Sequence, residues 1–206
     1  QQTLPPASGP PAISVDGGRI HFMDGQAEFC PAQRGRSMSV GGPPVVDLFN
    51  QQFCPNDGRY IKAVGSYVFA GHFTGAIVRY WSGGPGAAPV VIASLPNQFD
   101  LLQKIDTQGE WVYWAVEDAV GRVNRDGLNP TSVARATTFR TGMTAAPNGM
   151  VYWAEGGSAD GRLMKADLSA PAAMLFVGGL NTPQFLTSDA THVYWAESGA
   201  AIKRAP

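Results

Sequence analysis

The sequence predicts an all-β chain, a five-bladed β-propeller of four-stranded antiparallel blades. Three observations lead there. An aromatic phrase recurs along the chain at near-constant spacing, each recurrence carries short apolar runs, and the composition favours turns over helices.

The phrase is plainest in Val112-Tyr113-Trp114-Ala115, Val151-Tyr152-Trp153-Ala154-Glu155 and Val193-Tyr194-Trp195-Ala196-Glu197. Ile20-His21-Phe22-Met23-Asp24 and Tyr67-Val68-Phe69-Ala70 are looser copies. The copies begin at 20, 67, 112, 151 and 193, so successive spacings are 47, 45, 39 and 42 residues. A period of about 40–45 residues with strand-like content fits one four-stranded propeller blade per repeat.

A short apolar run closed by turn residues precedes every copy, at 12–16, 60–65, 101–109, 140–149 and 185–191. Asp16, Asp106 and Asp189 stand at related places in three of these turns. A strand led by glycine or alanine and ending in a basic residue follows each of the last four copies, at 75–79, 121–125, 161–165 and 200–204. Further apolar runs lie at 45–49, 90–93, 131–134 and 172–177. Short runs bounded by Gly, Pro, Asn, Asp and Ser read as strands.

The repeat units fall at 10–49, 50–94, 95–136, 137–178 and 179–206. The fifth unit stops after its third strand, while Gln2–Leu4 is a run left over at the start. A single domain is expected, with residues 1–9 completing the last blade. That closes the ring and hides an otherwise open sheet edge.

Alternate residues of a strand face opposite ways, so Val and Trp of the phrase share one face and Tyr and Ala the other. Both faces are apolar, as a strand sandwiched between neighbouring blades requires. Phe22, Phe69, Trp114, Trp153 and Trp195 are therefore expected in the inter-blade core. Asp24, Glu155 and Glu197 follow the phrase, and Arg79, Arg125, Lys165 and Arg204 lie on the next strand. Because both charges recur from unit to unit, cross-strand pairing or a bond to a neighbouring blade is expected rather than acid–base chemistry.

The 206 residues include 15 basic and 16 acidic, with no basic run, so nucleic-acid binding has no electrostatic footprint. No stretch approaches the ~18 apolar residues of a membrane-spanning helix. The opening Gln1-Gln2-Thr3-Leu4-Pro5-Pro6 reads as a mature end left by cleavage or as an artificial boundary. Cys30 and Cys54 each precede a proline and are expected to form a disulfide. That implies a secreted, periplasmic or cell-surface location. Two thiols without paired histidines do not make a zinc site, and no metal or cofactor is expected.

Tyr152-Trp153-Ala154-Glu155 with Gly161-Arg162-Leu163-Met164-Lys165, and Tyr194-Trp195-Ala196-Glu197 with Ile202-Lys203-Arg204, resemble the YWTD repeat of LDL-receptor-type propellers. In Tyr113-Trp114-Ala115-Val116 the acid is displaced to Glu117. The resemblance implies protein binding outside the cell on a propeller face. Propellers of that family have six blades where five units are counted here, and Ala and Glu replace Thr and Asp.

Chemistry-bearing residues are sparse. His21 takes a position held elsewhere by Tyr, His192 immediately precedes a core strand, and His72 falls in the loop after the second aromatic strand. No nucleophile–base pair, Gly-x-Ser-x-Gly turn or phosphate-cradling loop is present. Trp81 and Trp111 break the repeat. In an up-and-down meander both belong on one face of the ring, with Tyr80 nearby, and aromatics off the repeat can mark a partner site. The opposite face carries amides, namely Asn50, Gln51, Gln52, Asn97, Gln98, Asn181 and Gln184, beside Phe53, Phe99 and Phe185. These suit turn-making and inter-blade bonds, or stacking on a sugar.

The candidate binding residues are thus Trp81, Trp111, Tyr80, His72, Gln98 and Gln184. The expected function is a non-catalytic module outside the cytoplasm that recognises a protein or glycan. The alternative is an assembly subunit packing through a propeller face, as in a homo-oligomer, and after it a propeller hydrolase or lyase.

Overall fold

A computed structural model describes residues 13–24, 32–52, 60–72, 75–83, 87–95, 102, 104–116, 118–135, 139–157, 160–167, 169, 172–198 and 201–206. Cys30, Cys54, Phe53, Asn97, Gln98, Phe99, Glu117 and the expected closing strand at 1–9 lie outside them.

All nineteen elements among the described residues are strands, paired in antiparallel fashion into five sheets. The chain divides into two compact units, Gln1–Leu101 and Leu102–Pro206. In the first unit, β1 (Ile13–Asp16), β2 (Arg19–Asp24), β3 (Ala32–Ser39) and β4 (Gly42–Gln52) form one sheet in chain order. β5 (Ile61–Val64), β6 (Tyr67–His72), β7 (Ala76–Trp81) and β8 (Val90–Ser94) form the next.

The second unit holds three sheets. The first is β9 (Lys104–Gln108), β10 (Trp111–Ala115), β11 (Ala119–Asn124) and β12 (Thr131–Arg135). The next is β13 (Phe139–Ala145), β14 (Met150–Glu155), β15 (Gly161–Asp167) and β16 (Met174–Leu180). The last has three strands among the described residues, β17 (Gln184–Ser188), β18 (Val193–Glu197) and β19 (Ala201–Ala205).

The strands form where the apolar alternation places them, with one addition. The expected basic-ended third strand covers only the last four units, yet the first unit also has one, β3. Its sequence, Ala-Gln-Arg-Gly-Arg-Ser-Met-Ser, has no apolar alternation, and it forms by pairing on both sides, with β2 and β4. Asn50, Gln51 and Gln52 belong to β4 rather than to a loop.

Hairpin register corrects the alignment of the second repeat, 50–94. Val64 pairs with Tyr67 and Gln108 with Trp111 across two-residue turns that begin at Gly65 and Gly109, both in the left-handed region open to glycine. Tyr67 therefore corresponds to Trp111, Phe69 to Tyr113, and Ala70 to Trp114. Phe69 is buried as expected, but at the Tyr position. Volume explains why both versions pack. Trp114 lies opposite Gly121, where any Cβ would fall inside the indole, whereas Ala70 lies opposite Val78.

Neighbouring sheets are joined at their first strands by one recurring device. The Ser14 hydroxyl accepts from the Ala63 N–H at 2.9 Å, linking β1 to β5. At the same register position, Asp106 Oδ2 accepts from the Ala145 N–H at 3.0 Å and from Thr144 Oγ1 at 3.2 Å, linking β9 to β13. Thr144 Oγ1 in turn lies 3.0 Å from Ser188 Oγ of β17. Ser14, Asp106 and Thr144 stand opposite His21, Tyr113 and Tyr152.

This arrangement separates the three aspartates that the sequence groups together. Asp106 is a buried mid-strand link and Asp16 ends β1. Asp189 lies in the turn before β18, where it accepts from the Thr191 and His192 N–H groups and from the Tyr194 hydroxyl.

Candidate functional site

Phe22, Trp114, Trp153 and Trp195 are buried, so the aromatic phrase serves the core. Two of the indoles also organise charge. Trp153 Nε1 donates to Glu155 Oε1 at 2.8 Å, and Arg162 closes on Glu155 Oε2 at 2.9 Å. Trp195 Nε1 donates to Glu197 Oε1 at 2.9 Å, and Lys203 reaches Glu197 Oε2 at 3.1 Å. Burial raises the Glu197 carboxyl, but donors from Trp195, Lys203 and the Asn181 N–H outweigh it and leave the group below its usual value.

The carboxylates are cross-strand paired, as expected for Glu155 and Glu197, but the bases are not those anticipated. Lys165 and Arg204 point to the other face of their strands. Lys165 Nζ lies 5.2 Å from the Phe176 ring, and Arg204 stands opposite Tyr194. Arg125 lies 3.9 Å from Glu110. In the β10 sheet the residue two after the tryptophan is Val116, and the buried Trp114 Nε1 has no hydrogen-bond partner.

The most exposed structured tryptophan is Trp81, 42 % exposed at the end of β7. It packs edge-on against Tyr67, ring centroids 5.6 Å apart at 76°. A Cβ at Gly83 would overlap the indole, so the chain after β7 lies directly against it. Arg79 stacks over the same Tyr67 ring at 4.7 Å. Exposed Val90 on β8 stands opposite Arg79.

Trp111, the first residue of β10, is half-buried against the core cluster of the second unit. Arg122 lies 4.2 Å above its ring. Each tryptophan stands at the same end of its own sheet, the end of the first hairpin. The equivalent bonds Ser82 N to Ser66 O at 3.0 Å and Arg125 N to Glu110 O at 2.9 Å mark that end.

The remaining candidates are placed as follows. Tyr80 is 2 % exposed and lies in the apolar cluster of the first unit, where burial raises its hydroxyl pKa. It therefore offers no contact area beside Trp81. His72 is the last residue of β6, paired with Ala76, rather than a loop residue. Gln184 opens β17 and is half-buried. Next to it, Phe185 projects into solvent, 69 % exposed, with a φ of 55° where the β17–β18 register shifts. His192 accompanies Thr191, its Nδ1 2.8 Å from the hydroxyl. Among the described residues no cluster of three metal-ligating side chains occurs. Tyr67, which packs on Trp81, and Arg79, which stacks on Tyr67, are not among the candidate binding residues, because in sequence both read as parts of the repeat.

Five antiparallel sheets following one another along the chain, each built in strand order, define the fold as that of a β-propeller. Solved structures agree. The chain is similar to a nidogen/laminin complex, with a TM-score of 0.64 at 14 % identity over 91 % of this chain and 74 % of that one. It is similar to YCF48 bound to D1 peptide, with a TM-score of 0.60 at 14 % identity over 94 % and 63 % of the two chains. It also resembles a puromycin-hydrolyzing peptidase of Mycobacterium tuberculosis, with a TM-score of 0.66 at 14 % identity over 94 % of this chain and 38 % of that one. No family model matches the chain, and no curated protein matches it. No helix among the described residues is long and apolar enough to cross a membrane.

Proposed function

We propose that this chain is a non-catalytic, extracellular binding module that recognises a protein or glycan, with Trp81 and Trp111, each at the first-hairpin end of its own sheet, as the candidate contacts. One observation carries the reading. Trp81 is exposed yet held in one orientation by Tyr67 and Gly83, so its apolar face can be covered by a partner at little cost in side-chain freedom. Two of the similar structures contain a protein or peptide partner, which supports protein recognition as the first arm to test. The YWTD-like residues support a location outside the cytoplasm.

Among the described residues β19 is the edge strand of its sheet. Ile202 on that strand is 81 % exposed, an apolar side chain that a partner could cover. The same exposed edge supports the second reading, assembly of copies by strand addition. A glycan-array and protein-capture screen, run beside a solution-mass measurement, separates the two. A hit by a monomer, weakened about 30-fold or more by Trp81→Ala with stability changed by less than about 1 kcal/mol, supports the binding module. A stable oligomer without any hit supports assembly, and binding indifferent to Trp81 and Trp111 overturns their role.

A further inference from the structure

The first sheet carries one feature that the others lack. Opposite the sheet-joining position, β10, β14 and β18 place Tyr113, Tyr152 and Tyr194, and β6 places Phe69. On β2 the same position holds His21. Its side chain is 1 % exposed, and its Nδ1 is buried with no hydrogen-bond partner.

His21 lies between Ser14 of β1 and Ser37 of β3. Ser14 is the residue whose hydroxyl accepts the Ala63 N–H, so His21 occupies the face of the first sheet that turns toward β5. The second sheet answers with Ile61, Ala63, Val68, Ala70, Val78 and Tyr80, a cluster whose one titratable member is Tyr80. On the first sheet, Arg19 shares the face and donates to Ser37 Oγ at 2.7 Å, and Asp16 stands opposite Arg19. Arg36 lies on the other face, paired with Asp47 at 3.0 Å, and Lys62 alternates away from Ile61 and Ala63 on β5. Burial, followed by the charge of Arg19, pushes the His21 pKa below its ordinary 6.5, against a smaller upward pull from Asp16.

We propose that His21 is an acid-sensitive latch that releases the contact between the first and second sheets as pH falls below about 6.5. The neutral imidazole tolerates an apolar, unpartnered site. The imidazolium has two N–H donors, and the Nδ1–H would be buried with no acceptor beside the Arg19 guanidinium. Opening the β1–β5 contact hydrates the ring and lets it charge. The sign follows from linkage. A base whose folded pKa is depressed leaves stability intact above 6.5, and stability falls as pH drops from there toward the folded pKa. In that window the opened form takes up one proton, so the opening equilibrium rises up to tenfold per pH unit. Loss of the first sheet would disrupt a propeller face, which gives a binding module a means of releasing a partner in an acidic compartment. That last step rests on the proposed function, whereas the latch itself does not.

Hydrogen exchange of the full chain between pH 7.5 and 5.5, corrected for intrinsic rates, tests the latch without any ligand. Amides of β1 and Ala63 are expected to lose protection by about tenfold between pH 6.5 and 5.5, while β14 stays protected. His21→Phe, or His21→Tyr as the other sheets carry, removes that pH dependence. In parallel, the ring signals of the three histidines are assigned by His72→Gln and His192→Gln and titrated in the folded chain. His21 titrating well below 6.5 supports the latch even if neither His21 variant folds. An ordinary His21 titration, or acid-dependent exchange unchanged in a folded His21 variant, overturns it.

Discussion

The tryptophans of β10 and β14 offer a controlled comparison, because Trp153→Phe and Trp114→Phe delete the same atoms from two buried indoles. Their packing losses, from shrinking a ring inside a close-packed core, largely cancel in the difference. The polar consequences do not. Trp153 Nε1 donates to the buried Glu155 carboxylate at 2.8 Å, and a hydrogen bond to a charged group contributes about 1.5–3 kcal/mol. After Trp153→Phe, Glu155 keeps Arg162 but loses its buried donor. Trp114 Nε1 has no partner, so Trp114→Phe removes an unsatisfied donor whose burial costs about 1–3 kcal/mol. Trp153→Phe should therefore destabilise the protein by at least about 1.5 kcal/mol more than Trp114→Phe. Urea unfolding followed by far-UV circular dichroism reads the difference without depending on indole fluorescence. Equal losses, or a larger loss for Trp114→Phe, would refute the view that the Trp–Glu–base group stabilises its sheet beyond packing.

Other outcomes follow from the same contacts. Asp106→Ala strands the Ala145 N–H and leaves the Thr144 hydroxyl with Ser188 alone, and should cost about 2–3 kcal/mol, against about 1 kcal/mol for Ser14→Ala, both measured by urea midpoint. Gly121→Val and Trp114→Ala should each destabilise strongly. Combined, they recreate the Val78–Ala70 pairing and should recover about 2 kcal/mol relative to the sum, a coupling that a double-mutant cycle detects. Because the Glu197 carboxyl is held below its usual 4.5, its contribution is complete above that pH and is lost as pH falls through the folded value. Glu197→Gln should flatten that limb of a stability–pH profile.

The period and most strands were legible because both faces of each second strand are apolar and the turns are marked by glycine. β3 was not legible, since a strand clasped between two others needs no apolar alternation of its own; the buried Ser37 sits where a hydrophobic residue would have announced it. The second repeat misaligned by one residue because Tyr67 and Phe69 imitate an aromatic phrase. Only the Gly65 turn, seen in the register, shows that Ala70 holds the tryptophan place. The bases were misassigned for a related reason. A recurring Lys or Arg is visible in sequence, but which face it takes depends on pairing, and one residue along the strand reverses it. Trp81 was legible as an aromatic off the repeat, whereas Tyr67 was hidden in the phrase and Arg79 among the recurring bases.

The departures from the repeat are therefore informative in proportion to how completely the structure compensates them. Ala70 in place of tryptophan is compensated by Val78 in place of glycine. Val116 in place of glutamate is compensated less well, since it leaves the Trp114 N–H unpaired, but that donor carries no titration and so imposes a fixed cost at every pH. His21 in place of tyrosine is different in kind. Its unpaired nitrogen stays neutral while buried and takes up a proton once exposed, in the range where cellular compartments differ, and it lies beside the hydroxyl that joins two sheets. A repeat can absorb a mismatch of volume silently. A mismatch of proton affinity at a junction makes the strength of that junction depend on pH, and among these substitutions only His21 meets both conditions.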